Sequence, residues 1–482
     1  MILAELFPYA DIVYNVLLTL YVLTVLAVIV VVLSENRNPV KSIAWVLVLI
    51  LLPVLGLVIY LIFGRSLRGM RLISRSDLRE LRRMNDYSEN VKLNHDLSDT
   101  SLQLISLVNK LTEPHLFEGN DIETFTEGLD KFEAMKRDIE QARQYIHVQY
   151  FIIEDDEVGS ELIDLLIRKA REGVQVRVLY DYVGSFYMPS RVLKKMRAAG
   201  VEIHPFLEVS LTNVAFRINW RNHRKIVVID GSIGYVGGMN IANRYVTGDS
   251  KWQPWRDTHL RISGEAVAAM EYSFAIDWNF TTRKLLTLPT MHYSEPPASA
   301  DYLVQMVGSG PTNRWNNISL VFFKAITLAK RCIYIQTPYF LPSDSLLKAL
   351  QSAALSGVDV RLMIPKKTDS VMLRLATDSY IKECLLSGMK IYFYDARMMH
   401  AKVVIVDDEF VTTGSTNFDF RSFEHNFEFN ALIYSKSYNA KMKDIFEADL
   451  QKSSRVSLGK WKQRPLTQKA LESVIRLMSP IL

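Results

Sequence analysis

Two histidine–lysine pairs, each set in the same run of residues, are the parts of this chain best suited to chemistry. His223 and Lys225 are followed by Asp230, Gly237 and Asn240; His400 and Lys402 are followed at the same offsets by Asp407, Gly414 and Asn417. Residues two apart on an extended segment share a face, so each copy offers an imidazole and an ammonium side by side. Two ammonium groups, with the Asn240 and Asn417 amides, can cradle a phosphate and stabilise the charge that develops on it. One neutral imidazole can attack phosphorus. The other, protonated, can hand a proton to a leaving alcohol and then take one from an incoming alcohol or water. These groups suffice for two-step phosphodiester exchange, and no cofactor is expected.

Asp230 and Asp407 belong to the repeated candidate catalytic set by their place in the motif. Their parity along an extended segment is opposite to that of the histidines, and each precedes a turn, at Gly231 or Asp408. That position suits a carboxylate bracing a strand end better than a third group on the reacting face. Arg224 faces away from His223 and has Ala401 as its counterpart, so it is assigned no catalytic role. Metal chemistry is a poor fit, because lysine is not a ligand near neutral pH and no His/Asp/Glu cluster has zinc or calcium spacing. Neither a G-x-S-x-G elbow nor a G-x-x-x-x-G-K-[ST] nucleotide loop is present.

The elements that must carry these groups also occur twice. Tyr145–Gln149 matches Cys332–Gln336, Gly173–Arg177 matches Gly357–Arg361, and Gly200–His204 matches Gly388–Tyr392, each an alternating, strand-like run ahead of its histidine. Apolar residues at helical spacing over Glu161–Glu172 and Ser345–Ser356 separate the first two strands of each set. Strands alternating with helices predict an α/β layered fold in two homologous modules. The expected organisation is a membrane segment over 1–64, a basic linker over 65–115, and modules over 116–288 and 301–482. The proline-bearing stretch Thr287–Ala300 is the boundary between modules, and a helix near Pro465–Leu482 ends the second one. Cys332 and Cys384, the only cysteines, fit two buried thiols in a reducing compartment.

Within 482 residues of net charge +5, two apolar runs stand out, Ile12–Leu33 and Ile43–Phe63. Each is long enough to cross a hydrocarbon layer of ~30 Å, with Tyr9, Tyr14, Trp45 and Tyr60 near the ends. Pro53 and Gly56 are tolerable in a membrane helix. A cleaved signal peptide is a poor reading, because the first eleven residues hold acids and no lysine or arginine. Arg65, Arg68, Arg71, Arg75, Arg79, Arg82 and Arg83 follow the second run, against Arg37 and Lys41 in the connection. By the positive-inside rule, the two runs would place the body of the protein in the cytoplasm, with the N-terminus on the same side. The arginines would also meet anionic lipid headgroups.

The duplicated His-x-Lys-x4-Asp with its Gly-x-x-Asn tail resembles the signature of the phospholipase D superfamily. Arg221–Gly231, Gln336–Pro342, Ser309–Pro311, Asn417–Ser422 and the opening apolar pair look like the bacterial cardiolipin synthases within it. The resemblance covers nearly the whole chain, and Arg71–Leu116 is its least specific part. It implies two α/β/α sandwich modules around a pseudo-twofold axis, sharing one active site at their interface. It also implies a covalent phosphatidyl-histidine, with His223 as nucleophile and His400 as general acid, then base. The second tail, Gly414-Ser-Thr-Asn417, carries Ser415 as a further phosphate donor where the first has Gly238, so the half-sites are unequal. Superfamily members place an acid on the strand after each motif to orient a catalytic imidazole, often across the interface. Asp257 and Glu428 are the residues here that match. The alternative is two surface acids on edge strands.

The activity this implies joins two phosphatidylglycerol molecules into cardiolipin and glycerol. The motifs alone leave open a phospholipase D-type hydrolase, or a transferase using another donor such as phosphatidylethanolamine. A nuclease is disfavoured, because two membrane spans restrict access to nucleic acid. A non-catalytic scaffold binding anionic lipid is the reading from a different class, and two intact motifs argue against it.

Overall fold

The computed structural model describes residues 10–34, 39–52, 54–64, 68–84, 97–112, 116–209, 219–248, 253–286 and 301–479. The expected boundary Thr287–Ala300, together with Arg37 and Arg65, lies outside the described residues. The chain forms two units, one of residues 1–66 with 209–219 and one of 67–208 with 220–482.

In the first unit, Ala10–Ser34 is one continuous helix, and Asp11–Leu33 within it is long and apolar enough to cross a membrane. The second apolar run differs from expectation. It forms a helix over Pro39–Leu51, a short helix over Leu55–Ile59 and a π-helical turn over Tyr60–Gly64. The break falls beside Pro53, a residue with no N–H to give a helix, and Val54 takes a left-handed φ of 61°. Val25, Val32, Leu49 and Tyr60 pack together, with Trp45 edge-on to Tyr60 at 5.3 Å between ring centroids.

The second unit is built on a run of strands that each module repeats. The first module contributes β1 (Phe117–Phe125), β2 (Tyr145–Tyr150), β3 (Gln175–Asp181), β4 (Glu202–Phe206), β5 (Arg221–Asn222), β6 (Ile226–Ile229), β7 (Ile233–Gly237) and β8 (His259–Ser263). The second contributes β9 (Tyr302–Ser309), β10 (Cys332–Gln336), β11 (Phe340–Leu341), β12 (Asp359–Pro365), β13 (Lys390–Tyr394), β14 (Val403–Val406), β15 (Phe410–Gly414), β16 (Phe418–Asp419), β17 (Asn426–Tyr434) and β18 (Ser453–Arg455). The main sheet runs β18-β13-β12-β10-β14-β15-β17-β9-β1-β8-β7-β6-β2-β3-β4. Read from the central β9–β1 pair outward, the order is the same in both directions, apart from β18 at one edge. The three matched runs of the sequence are the parallel strands β2, β3, β4 and β10, β12, β13.

Strands buried on both faces should be apolar throughout, and Ile226–Ile229 and Val403–Val406 are. Val227 and Ile229 join the core beneath helices Gly128–Gln141 and Glu157–Arg171, whereas Ile226 and Val228 join the core beneath Val267–Thr282 and Lys436–Leu450. Each module is therefore an α/β/α sandwich. Helices Glu157–Arg171 and Asp344–Leu355 start on caps, Asp156 accepting from the Gly159 N–H and Ser343 from that of Leu346. Both end in a glycine, Gly173 at φ 94° and Gly357 at φ 93°, a conformation that costs other residues more. The expected C-terminal helix spans Leu466–Arg476. Cys332 and Cys384 are buried free thiols.

Candidate active site

His223–Lys225 and His400–Lys402 lie just ahead of β6 and β14 rather than inside them. The reason is a change of partner. The His223 N–H donates to the Phe427 carbonyl at 2.9 Å, and the His400 N–H to the Arg256 carbonyl at 2.7 Å. Each histidine segment thus leaves its own module's ladder and pairs in parallel with the other module, β5 on β17 and Met399 on Arg256.

That exchange carries the side chains with it. The residue after Phe427 is Glu428, whose Oε1 and Oε2 lie 3.0 and 3.1 Å from His223 Nδ1. The residue after Arg256 is Asp257, whose Oδ2 lies 2.6 Å from His400 Nδ1. Both carboxylates are fully buried. A carboxylate on Nδ1 favours that nitrogen as the N–H and leaves the lone pair on Nε2, the tautomer a nucleophile or base requires; at His400, Lys402 Nζ also stands 2.8 Å from Nδ1 and 3.3 Å from Nε2. The histidines are 8 % and 6 % exposed, so little of either residue meets solvent. Phe151 packs edge-on to His223 at 4.9 Å, and Trp255 lies 5.0 Å from His400.

The lysines sit on the histidine side, as parity requires. Lys225 Nζ donates to the His223 carbonyl at 2.7 Å; Lys402 Nζ donates to the His400 carbonyl and lies 3.8 Å from Asp257. Burial lowers Lys225 to about 7 and Lys402 to about 8, against the pull of the two carboxylates. Burial, helped by the Lys402 charge, lowers His400 to about 4, and burial lowers His223 too. Burial pushes Asp257 and Glu428 upward, but Lys402 with His400, and His223 with Lys225, outweigh it and leave both below the usual carboxylate range. Burial thus biases both imidazoles toward the neutral form and both lysines toward losing their protons. A phosphodiester anion would supply the missing counter-charge.

Asp230 and Asp407 stand elsewhere. Each ends the strand that its histidine precedes, with φ of 49° and 50°. Asp230 accepts from the N–H groups of Arg143, Gln144 and Tyr145, and Asp407 from those of Lys330, Arg331 and Cys332. Each carboxylate thus ties a helix-to-strand connection to a strand end, the bracing position that its parity predicts.

The asparagines and Ser415 are more committed than their motif suggests. Asn240 accepts from the Ile152 N–H at 3.2 Å and donates to Tyr245 Oη at 3.1 Å. Asn417 is buried, with its Oδ1 unpartnered among the described residues. Ser415 Oγ, expected to meet phosphate, donates to Glu428 and accepts from the Phe429 N–H at 2.9 Å. Gly238 is its counterpart, and a Cβ there would overlap the Asp257 carboxylate. The inequality of the two tails therefore follows from their acids.

Several contributors carry no signal in the sequence. Arg224 pairs with Asp277 and donates to the Glu428 carbonyl at 3.3 Å. In the other half Arg256 pairs with Asp449 at 2.7 Å. Asp181 accepts from the Asn222 N–H at 2.8 Å, and Tyr245 Oη stands 3.5 Å from His400 Nδ1. The repeat hides these residues because they are not matched one for one: Arg224 has Ala401 opposite it, and its place is taken by Arg256, in the segment ahead of β8.

A family profile described as "Cardiolipin synthase, PLD-like domain" matches residues 135–274 and 322–450, each span taking in one His-x-Lys motif and one helix-covered half of the sheet. The chain belongs to the cardiolipin synthase family of the phospholipase D superfamily. A second profile, "Phospholipase_D-nuclease N-terminal", matches residues 22–65 of this family member. The major cardiolipin synthase ClsA of Bacillus subtilis (strain 168) is 40% identical over 97% of the chain and 99% of its own length. Cardiolipin synthase 2 of Bacillus anthracis is 38% identical over 94% of the chain and 89% of its own length. Among solved structures, phosphatidylserine synthase of Haemophilus influenzae Rd KW20 superposes with a TM-score of 0.60 at 16% identity, covering 80% of the chain and 100% of that protein. That likeness is one of fold.

Proposed function

We propose that this cardiolipin synthase family member transfers a phosphatidyl group from one phosphatidylglycerol to another by double displacement. His223 Nε2 attacks phosphorus, and the bond to the headgroup glycerol breaks. His400, protonated once the anionic diester is in place, gives its proton to the leaving oxygen. The phosphatidyl-histidine then meets the glycerol hydroxyl of a second phosphatidylglycerol. His400 takes that proton, the new phosphodiester forms, and His223 leaves with its lone pair. Cardiolipin and glycerol are the products, one phosphodiester is made for one broken, and no nucleotide is consumed. Lys225 and Lys402 offset charge on the non-bridging oxygens. Glu428 and Asp257 hold the two imidazoles and stabilise each when it carries positive charge.

The observation that carries this reading is the reciprocal pairing, His223 with Glu428 and His400 with Asp257, beside two buried lysines. The apolar helix Asp11–Leu33 supports attachment to a membrane, and the arginine-rich sequence after it supports a multi-pass topology with a cytoplasmic body. The test is membrane-reconstituted protein given phosphatidylglycerol alone, with products read by mass. Cardiolipin with glycerol, both lost in His223→Ala and His400→Ala, is expected. Phosphatidic acid as the main product would replace this reading with a hydrolase, and lipid binding without turnover would replace it with a scaffold.

A further inference from the structure

The strand register fixes which loops leave the sheet at its histidine end. Ile226, just after the first motif, pairs with Gln149 near the end of β2, and β3 runs parallel to β2 with Tyr180 opposite Tyr150. The loop after Asp181 therefore emerges beside His223. In the second module Val403 pairs with Gln336, and Gln336 with Met363, so the loop after Pro365 emerges beside His400. Ser309, the last residue of β9, pairs with Glu428, so a third loop leaves between the two.

These three loops, the one after Pro365 together with the first turn of helix Val371–Leu386, carry exposed apolar side chains. Tyr187 is 89% exposed, Val371 76%, Phe186 66% and Trp315 52%, with Val183 and Met372 at 40%. Among the described residues of 67–482, no aromatic side chain outside these loops is more than half exposed. Exposed cations accompany them: Arg314 lies against the Trp315 ring, and Lys366, paired with Asp395, and Lys367 precede Val371. Aromatic rings with neighbouring basic groups match the chemistry of an anionic headgroup region, where amphipathic rings settle and lysine or arginine meets phosphate. The position also fits the reaction. The acyl chains of both substrates stay in the bilayer while their phosphates lie at headgroup depth, and the two histidines are largely buried in the body of the protein.

We propose that the loops 182–189, 310–316 and 366–372 form a rim that inserts into the interface of an anionic phospholipid bilayer and seats the two-histidine site at headgroup depth. The proposal rests on the lipid-substrate reading above, and depth can be read without turnover. Cys332 and Cys384 are buried, so a nitroxide can be placed in the full-length protein through Y187C, V371C or L355C. Leu355 is 73% exposed but lies at the opposite end of the sheet, just before β12 begins. In phosphatidylglycerol-containing nanodiscs, labels at 187 and 371 are expected to favour collisions with oxygen over a water-soluble nickel chelate, and the label at 355 the reverse. Water-like behaviour at both 187 and 371, or lipid-like behaviour at all three, overturns the rim. As a second arm, the double substitution Phe186→Ser with Tyr187→Ser should lower transfer on long-chain phosphatidylglycerol vesicles at least about fivefold while leaving transfer on a monomeric short-chain phosphatidylglycerol unchanged. Equal loss on both substrates overturns the proposal. Lipid-like labels in a protein that makes no cardiolipin would uphold the rim and remove only the proposed reaction.

Discussion

Glu428 and His223 are 205 residues apart in sequence and 3.0 Å apart in space, and they belong to different modules. Asp257 and His400 repeat the relationship in the opposite sense at 2.6 Å. Each imidazole is thus oriented by the module that does not contain it. A half-chain would hold a histidine and a lysine without the carboxylate that fixes the ring.

Removing either carboxylate charge tests that relationship. Glu428→Gln and Asp257→Asn keep the volume but no longer stabilise a positively charged imidazole. Each is expected to lower kcat by roughly 10²-fold or more with little change in KM. Normal rates in both variants would contradict the assignment.

Asp230 and Asp407 should respond oppositely. Asp230→Ala leaves three backbone N–H groups without their acceptor and puts alanine at a left-handed φ, a loss of about 1–3 kcal/mol. The expected outcome is a Tm lowered by a few degrees, with kcat of the folded enzyme within a few-fold of the parent. Near-complete loss of activity at unchanged Tm would make Asp230 part of the chemistry.

The tails of the motifs offer a third comparison. At Gly238 a side chain would displace the Asp257 carboxylate, so Gly238→Ser is expected to abolish transfer even though it restores the sequence of the other motif. Ser415→Gly removes one donor from Glu428 and leaves His223 in place. A loss of several-fold is expected there, measured side by side with Gly238→Ser. The reverse order would contradict the packing.

The lysines set a pH dependence with a definite sign. Lys225, lowered to about 7, and Lys402, lowered to about 8, are cationic below those values and neutral above them. The cationic form is the one that binds an anionic diester. Affinity for glycerophosphoglycerol, whose diester does not titrate in this range, should therefore fall as pH rises from about 6 to about 9. The limit is about tenfold per pH unit for each lysine that must take up a proton. Calorimetry in buffers of different ionisation heat measures the proton uptake directly. Affinity independent of pH would mean that both lysines stay charged before the diester binds.

The sequence made the repeat readable because both modules keep the same strand-forming runs, and it made His223, Lys225, His400 and Lys402 readable because their spacing recurs. The parity of Asp230 and Asp407 pointed to strand ends. Three features were not legible. The shift of both histidines out of their ladders depends on backbone pairing with the other module, which no local pattern encodes. Ser415 reads as a phosphate donor until Glu428 is seen beside it. The second apolar run has the composition of a span, while Leu52 and Val54 flank a helix break that hydropathy does not register.

The central claim is that the phosphatidyl group passes through His223. Protein turning over short-chain phosphatidylglycerol can be quenched in base, where a phosphorus–nitrogen bond survives, then digested and mapped by tandem mass spectrometry. The expected result is a phosphatidyl adduct on the peptide containing His223, absent from His223→Ala. An adduct on the His400 peptide would reverse the two roles, and turnover with no adduct on either histidine would contradict the double displacement.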